Sequence, residues 1–266
     1  MHPFSDDIKF VQYLDNKEEY QDAIIALNQI SLSFLNSDQI DTVNYLKGWS
    51  FYNTKMLDSS ASYLLKVRNR SSFYLKSRFF SAYNYTFLHQ YVNANNILQS
   101  IPDNISTREI KYFEKSGIAL LKNDYKKFDS LQQKFSYRLY ALSAQEKKFT
   151  GYRYQLCSMK RKSSIIAGLM SAVLPGSGKV YAGKPYQGIG SLLPIVALAL
   201  LTNESYHKRG PRSAEFYFFG SMLTVFYVGN IWGSVFAVKI NREENEKLIR
   251  QKILFDLQIP LRTIFN

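Results

Sequence analysis

Apolar residues recur at helical spacing in the first half of the chain and run together in the second. Between residues 5 and 138 there is no period-two alternation of the strand kind. Apolar positions fall three and four apart over segments long enough for helices. The segments pair. EEYQDAIIALNQI, KMLDSSASYLLKV, HQYVNANNILQSI and NDYKKFDSLQQKF begin their apolar faces at Tyr20, Leu57, Tyr91 and Tyr125, at spacings of 37, 34 and 34 residues. Twelve residues before the centre of three of them lies a small residue in the preceding segment: Gly48 for Ser60, Ala82 for Ala94 and Ser116 for Phe128. Small side chains there let the two helices of a hairpin approach closely. A fixed period near 34 marks stacked hairpins, so an all-α repeat domain is expected over residues 1–138.

The second half reads differently. Phe216–Val238 has 23 residues without a charge and Tyr186–Asn203 has 18, each enough for a helix to cross a bilayer. Pro194 is expected to kink the first of these, and Gly229 and Gly233 form a G-x-x-x-G pair suited to close helix packing in lipid. Ser163–Leu174 is too short to cross upright, and Pro175, Gly176 and Gly178 break it. It is expected to be half-inserted or interfacial. Residues 163–238 thus form a candidate membrane module, with a short broken segment at 163–174 and spans at about 186–203 and 216–238. Residues 139–162 read as a basic amphipathic connector, interrupted at Gly151. Residues 239–266 carry Ile240, Leu248, Ile249, Ile253, Leu254 and Leu257 near helical spacing. They read as a juxtamembrane amphipathic tail lying on the membrane or against the repeats.

Charge sharpens this division. Residues 1–150 hold 19 Lys+Arg against 15 Asp+Glu, and the remainder 15 against 6. The excess borders the apolar runs, as expected of flanks that face anionic headgroups; Arg153, Lys160, Arg161 and Lys162 precede the module. A basic balance also suits nucleic acid. No nucleic-acid motif accompanies it, so nucleic acid is not expected as a partner. One cysteine, Cys157, excludes an intramolecular disulfide, and three scattered histidines suggest no metal site. No nucleophile, base and orienting group converge, so neither catalysis nor a cofactor is expected. GSGK at 176–179 looks like the end of a phosphate-binding loop. Val173 stands where its first glycine belongs and Val180 where its Ser/Thr belongs, so nucleotide binding is not expected. Lys179 and Lys184 read instead as headgroup-level cations, with Tyr181 and Tyr186 as interfacial aromatics. The N-terminal MHPFSDDIKFVQYL lacks the basic and apolar regions of a signal peptide.

Two resemblances follow from these residues. The 34-residue register, with Gly48 and Ala82 in first helices, Ala23 and Ala94 in second helices and Tyr20, Tyr91 and Tyr125 at the turns, resembles the tetratricopeptide repeat family. Phe128 in place of a small residue departs from it. The resemblance implies a helical-hairpin solenoid with a concave groove for a protein partner. It places Tyr45, Trp49, Tyr52, Lys76, Phe79 and Tyr83 on that groove, although the same rings could equally fill the repeat core. The run from Gly176 through Gly178, Tyr181 and Gly183 to Gly188 resembles the TM2-domain pattern and implies a small α-helical membrane domain. The combination is similar to envelope proteins of bacteria. It implies an inner-membrane scaffold or adaptor that binds a protein partner, in envelope protein assembly or translocation. A transporter or channel subunit is the alternative, although the uncharged runs lack the carboxylates of ion coupling. The positive-inside rule favours cytoplasmic repeats; a leader preceding this numbering would place them in the periplasm.

Overall fold

The structure, a computed structural model, describes residues 4–159 and 162–265, and every regular element among them is helical. Lys160 and Arg161 of the basic connector, and the first three residues of the N-terminal stretch, lie outside the described residues. The chain resolves into two compact units. One comprises the residues up to Gly151 together with those from Lys252 onward, the other Tyr152–Gln251.

The first unit is built from consecutive helical hairpins: α1 (Phe4–Asn16) with α2 (Tyr20–Gln29), α3 (Ser37–Asn53) with α4 (Leu57–Leu64), α5 (Tyr74–Phe87) with α6 (Tyr91–Ser100), and α7 (Ile105–Leu121) with α8 (Tyr125–Gln132). The repeat is written most clearly in the turns. Glu18, Lys55, His89 and Asn123 all adopt left-handed backbone, with φ of 62°, 65°, 60° and 57°. In each turn the next amide donates back five residues, as Met56 N to Phe51 O at 2.9 Å and Gln90 N to Tyr85 O at 2.8 Å. This is the bonding by which a left-handed residue closes a helix C-terminus. The four positions recur at the spacing of the tyrosine and leucine anchors two residues later, so the sequence period has a backbone counterpart.

The twelve-residue pairing is present as contact in the second hairpin. Ser60 Oγ donates to Gly48 O at 2.7 Å, and Asn84 Nδ2 of α5 donates to Ser60 Oγ at 2.8 Å. A Cβ on Gly48 would stand 2.6 Å from Leu64 Cγ. Glycine is therefore required there by closeness rather than by backbone angle. Asn36 and Asn104 start α3 and α7 with reciprocal capping boxes to Gln39 and Thr107.

α9 (Tyr140–Met159) is one continuous helix, so Gly151 does not interrupt the connector as expected. A single glycine costs a helix only about 1 kcal/mol, which neighbouring turns absorb. Leu142 and Phe149 on its first half are fully buried, Phe149 stacking on Phe113 at 4.5 Å.

The second unit contains α10 (Ser164–Val173), α11 (Ser177–Tyr181), α12 (Pro185–Arg209) and the first part of α13 (Ala214–Phe265). Two helices, α12 and α13, are long and apolar enough to cross a membrane, and only 17% and 22% of their apolar windows are buried within the chain. α12 runs past the expected end of its span, through Pro194, to Arg209. There Gly210, at φ 82°, stops it. α13 has no boundary where the span was expected to end at Val238. It continues unbroken for 52 residues, and its last turns, from Lys252, belong to the first unit.

Candidate functional site

The surface of first helices is where the sequence placed a partner groove, and Tyr45, Trp49, Tyr52, Lys76 and Tyr83 of its six residues come together. Trp49 stacks near Tyr52 at 5.3 Å and Tyr45 at 6.3 Å. Tyr52 lies 6.3 Å from Tyr83. The Lys76 ammonium stands over the Trp49 ring at 4.3 Å and the Tyr45 ring at 5.5 Å, contacts that favour a cation on an aromatic face. Tyr45, Tyr52, Phe79 and Tyr83 are buried, whereas Trp49 and Lys76 are half-buried.

Tyr52 and Phe79 are met by the chain itself. The final turns of α13 lie on this surface. Leu257 packs where Gly117 of α7 leaves room, the Gln258 amide hydrogen-bonds the Tyr52 hydroxyl, and Arg262 stands 5.8 Å from the Tyr52 ring centroid. Phe265 meets Phe79 of α5 at 5.5 Å. Asp256, 2% exposed, is held by the Lys148 ammonium of α9 at 2.9 Å. Ile253, Leu257 and Leu261 are fully buried. Residues 252–265 were expected on the membrane or against the repeats. Here they dock as a helix along α7, α3 and α5, presenting Leu257, Leu261 and Phe265 at four-residue intervals. Four apart is one helical face; the helical spacing read from the sequence reached Leu257 on it but not Leu261 or Phe265. Which surface it would meet was not readable.

Sequence reasoning missed the acid under this surface. Glu114 of α7 is fully buried and neither carboxylate oxygen has a hydrogen-bond partner among the described residues; burial raises its pKa well above the ordinary range. At the α1 end, burial pushes the Asp15 carboxyl up to about 6, against a hydrogen bond from the Ser50 hydroxyl at 3.3 Å. A carboxyl whose folded-state pKa exceeds its unfolded one binds its proton more tightly when folded. For Asp15 the resulting stability is fully present below about 3.8 and is lost as pH rises through about 6. The repeat unit is therefore expected to melt at a higher temperature at pH 5 than at pH 8, with Asp15→Asn removing part of that dependence. Melting followed by Trp49 fluorescence in a Trp232→Phe background checks this.

In the second unit the Gly-rich loop is a device of close packing. Gly176 has φ 87°, and a Cβ there would stand 2.2 Å from Gly188 O. A Cβ on Gly178 would stand 1.9 Å from Ala167 O, and one on Gly188 2.7 Å from Gly176 O. Gly183 turns the chain at φ 93°. Pro175 precedes the turn that folds α11 back on α10. The Tyr181 hydroxyl accepts from Ser163 N at 3.1 Å. The amide of Gly178 donates to Ser171 Oγ at 2.9 Å, and Ser171 and Ser234 share a hydrogen bond at 2.7 Å. That amide is thus occupied. The backbones approach at Gly176, Gly178 and Gly188 rather than at the G-x-x-x-G pair. A Cβ on Gly229 would meet nothing within 4 Å, and one on Gly233 only the Lys179 side chain. Lys184 pairs with Glu244 at 3.1 Å. Tyr186 is 88% exposed.

No family model matches the chain, and no curated protein or solved structure is significantly similar to it. The class that stands on the structure is an all-helical protein with two helices able to cross a membrane.

Proposed function

We propose that this chain is a membrane-anchored adaptor of the bacterial inner membrane. In this reading its tetratricopeptide-like repeats take up an amphipathic helix of a protein partner in exchange for the chain's own C-terminal segment. The observation that carries the reading is the seating of residues 252–265 on the first-helix surface. A surface that accepts Leu257, Leu261 and Phe265 from one helix has the chemistry to accept the same pattern from another. Trp49 and Lys76 keep an open edge beside it, where an incoming helix gains its first contact. Anchoring rests on α12 and α13, whose apolar windows lie mostly exposed. A helix in a soluble core would bury them. The basic excess beside these helices favours repeats on the cytoplasmic side.

A photo-reactive amino acid at position 49, in the full chain in native membranes, tests this reading. It should cross-link to residues 252–265 in the resting protein. In a Leu257→Ala background, which loosens that segment, it should cross-link to one discrete second protein. A probe that reaches only the chain's own tail in both backgrounds would sink the adaptor reading.

A further inference from the structure

A cavity of about 630 Å³ opens between α11, α12 and α13 of the second unit, lined by Lys179, Gln187, Ser191, Pro194, Phe226 and Asn230 among others. Two of these groups are out of place among apolar helices. The half-buried Lys179 side chain lies along Gly233 and pairs with no carboxylate among the described residues. Asn230 is 4% exposed, and neither its Nδ2 nor its Oδ1 has a hydrogen-bond partner among the described residues. An unpaired cation and an unsatisfied amide are each costly away from water, and together they mark a place built for a polar occupant.

The occupant's chemistry follows from what is missing. Lys179 offers three donors and a positive charge; Asn230 offers two donors and asks for one. A phosphodiester supplies the anion and acceptors, and a hydroxyl on the headgroup supplies the donor to Asn230. The cavity flank is apolar. Leu193, Val196 and Val225 nearby on α12 and α13 are 65%, 46% and 69% exposed, a surface suited to acyl chains. We propose that this cavity binds an anionic glycerophospholipid with a hydroxylated headgroup, its phosphate held by Lys179 and Asn230. The site is distinct from attraction of anionic lipid by the basic flanks, because it is a single concave place with a defined donor set. It rests on the membrane reading of α12 and α13.

The test is native mass spectrometry of the full chain released from nanodiscs of equal parts phosphatidylglycerol and phosphatidylcholine, with carbonate extraction of native membranes alongside. The wild type should retain one phosphatidylglycerol in preference to phosphatidylcholine. Lys179→Gln and Asn230→Leu should each lower that preference roughly tenfold, the scale of losing a hydrogen bond to a charged group. Lys179→Arg should retain it. Lys208→Gln, at an exposed pair with Glu204, should leave it unchanged. Competition by millimolar inorganic phosphate would reassign the site to free phosphate and overturn the lipid proposal. Equal retention of both lipids by the wild type would also overturn it, and needs no variant to fold. A chain that resists carbonate extraction yet shows no preference loses the site alone. A chain that carbonate extracts loses the membrane reading as well.

Discussion

Gly178→Ala is expected to undo the α10–α11 hairpin, with a loss of roughly 3 kcal/mol, the upper end of ordinary overpacking. The added Cβ would stand 1.9 Å from the Ala167 carbonyl oxygen and 2.7 Å from Ser171 Oγ. The first obstacle is backbone in a helix and cannot rotate away, so α11 must move. Moving α11 also lengthens the bond from Gly178 N to Ser171 Oγ, and with it the link from Ser171 to Ser234 on α13. Gly190→Ala is the control, because a Cβ there would meet nothing within 4 Å and alanine favours the helix. In detergent, the wild type and Gly190→Ala should melt together. Gly178→Ala should melt lower by something on the order of 10 °C. Equal melting of all three would mean that this close approach does not hold in the folded protein.

The glycine pattern shows how far a sequence carries such a conclusion. The run Gly176, Gly178, Gly183 and Gly188 was conspicuous, but its meaning was open. Two of these glycines are required by positive φ, at Gly176 and Gly183. Gly178 and Gly188 are required by a neighbouring carbonyl. Neither need leaves a mark on residue type beyond glycine itself. Conversely, the four left-handed turn residues of the hairpins are Glu, Lys, His and Asn, so the commonest turn signal was silent where the backbone repeat is clearest. The period was legible because the anchors Tyr20, Leu57, Tyr91 and Tyr125 follow those turns at a constant offset.

The candidate site divides in the same way. The six groove residues could be named, since first-helix positions share a register. That residues 252–265 lie on Tyr52 and Phe79 could not, because a contact between Tyr52 and Gln258 spans 206 residues. Glu114 and Asn230 were hidden for a related reason. A lone acid or amide in a helical pattern carries no mark of burial until the opposing helices are placed.

The docking of the C-terminal segment should be measurable as an exchange of volume between two positions. Leu257 is fully buried, and truncation to alanine removes its branched end from the surface of α7, at a cost of roughly 2–5 kcal/mol. Gly117→Ala approaches from the other side. Its Cβ would stand 2.5 Å from Leu257 Cδ2 and 2.9 Å from Leu257 Cγ, which displaces the leucine at about 1–3 kcal/mol. In the double variant the new methyl enters space that the leucine has vacated. The two changes should therefore cost less together than the sum of each alone, by about 1 kcal/mol or more. Denaturant melts of the four proteins, with Trp49 fluorescence as the probe of this surface, give the cycle. Protease cleavage within 252–265 should follow the same order, fastest in Leu257→Ala. Strict additivity would show that the segment does not rest on Gly117. The exchange of this segment for a partner helix would then lose its structural basis, while the anchoring role of α12 and α13 would stand untouched.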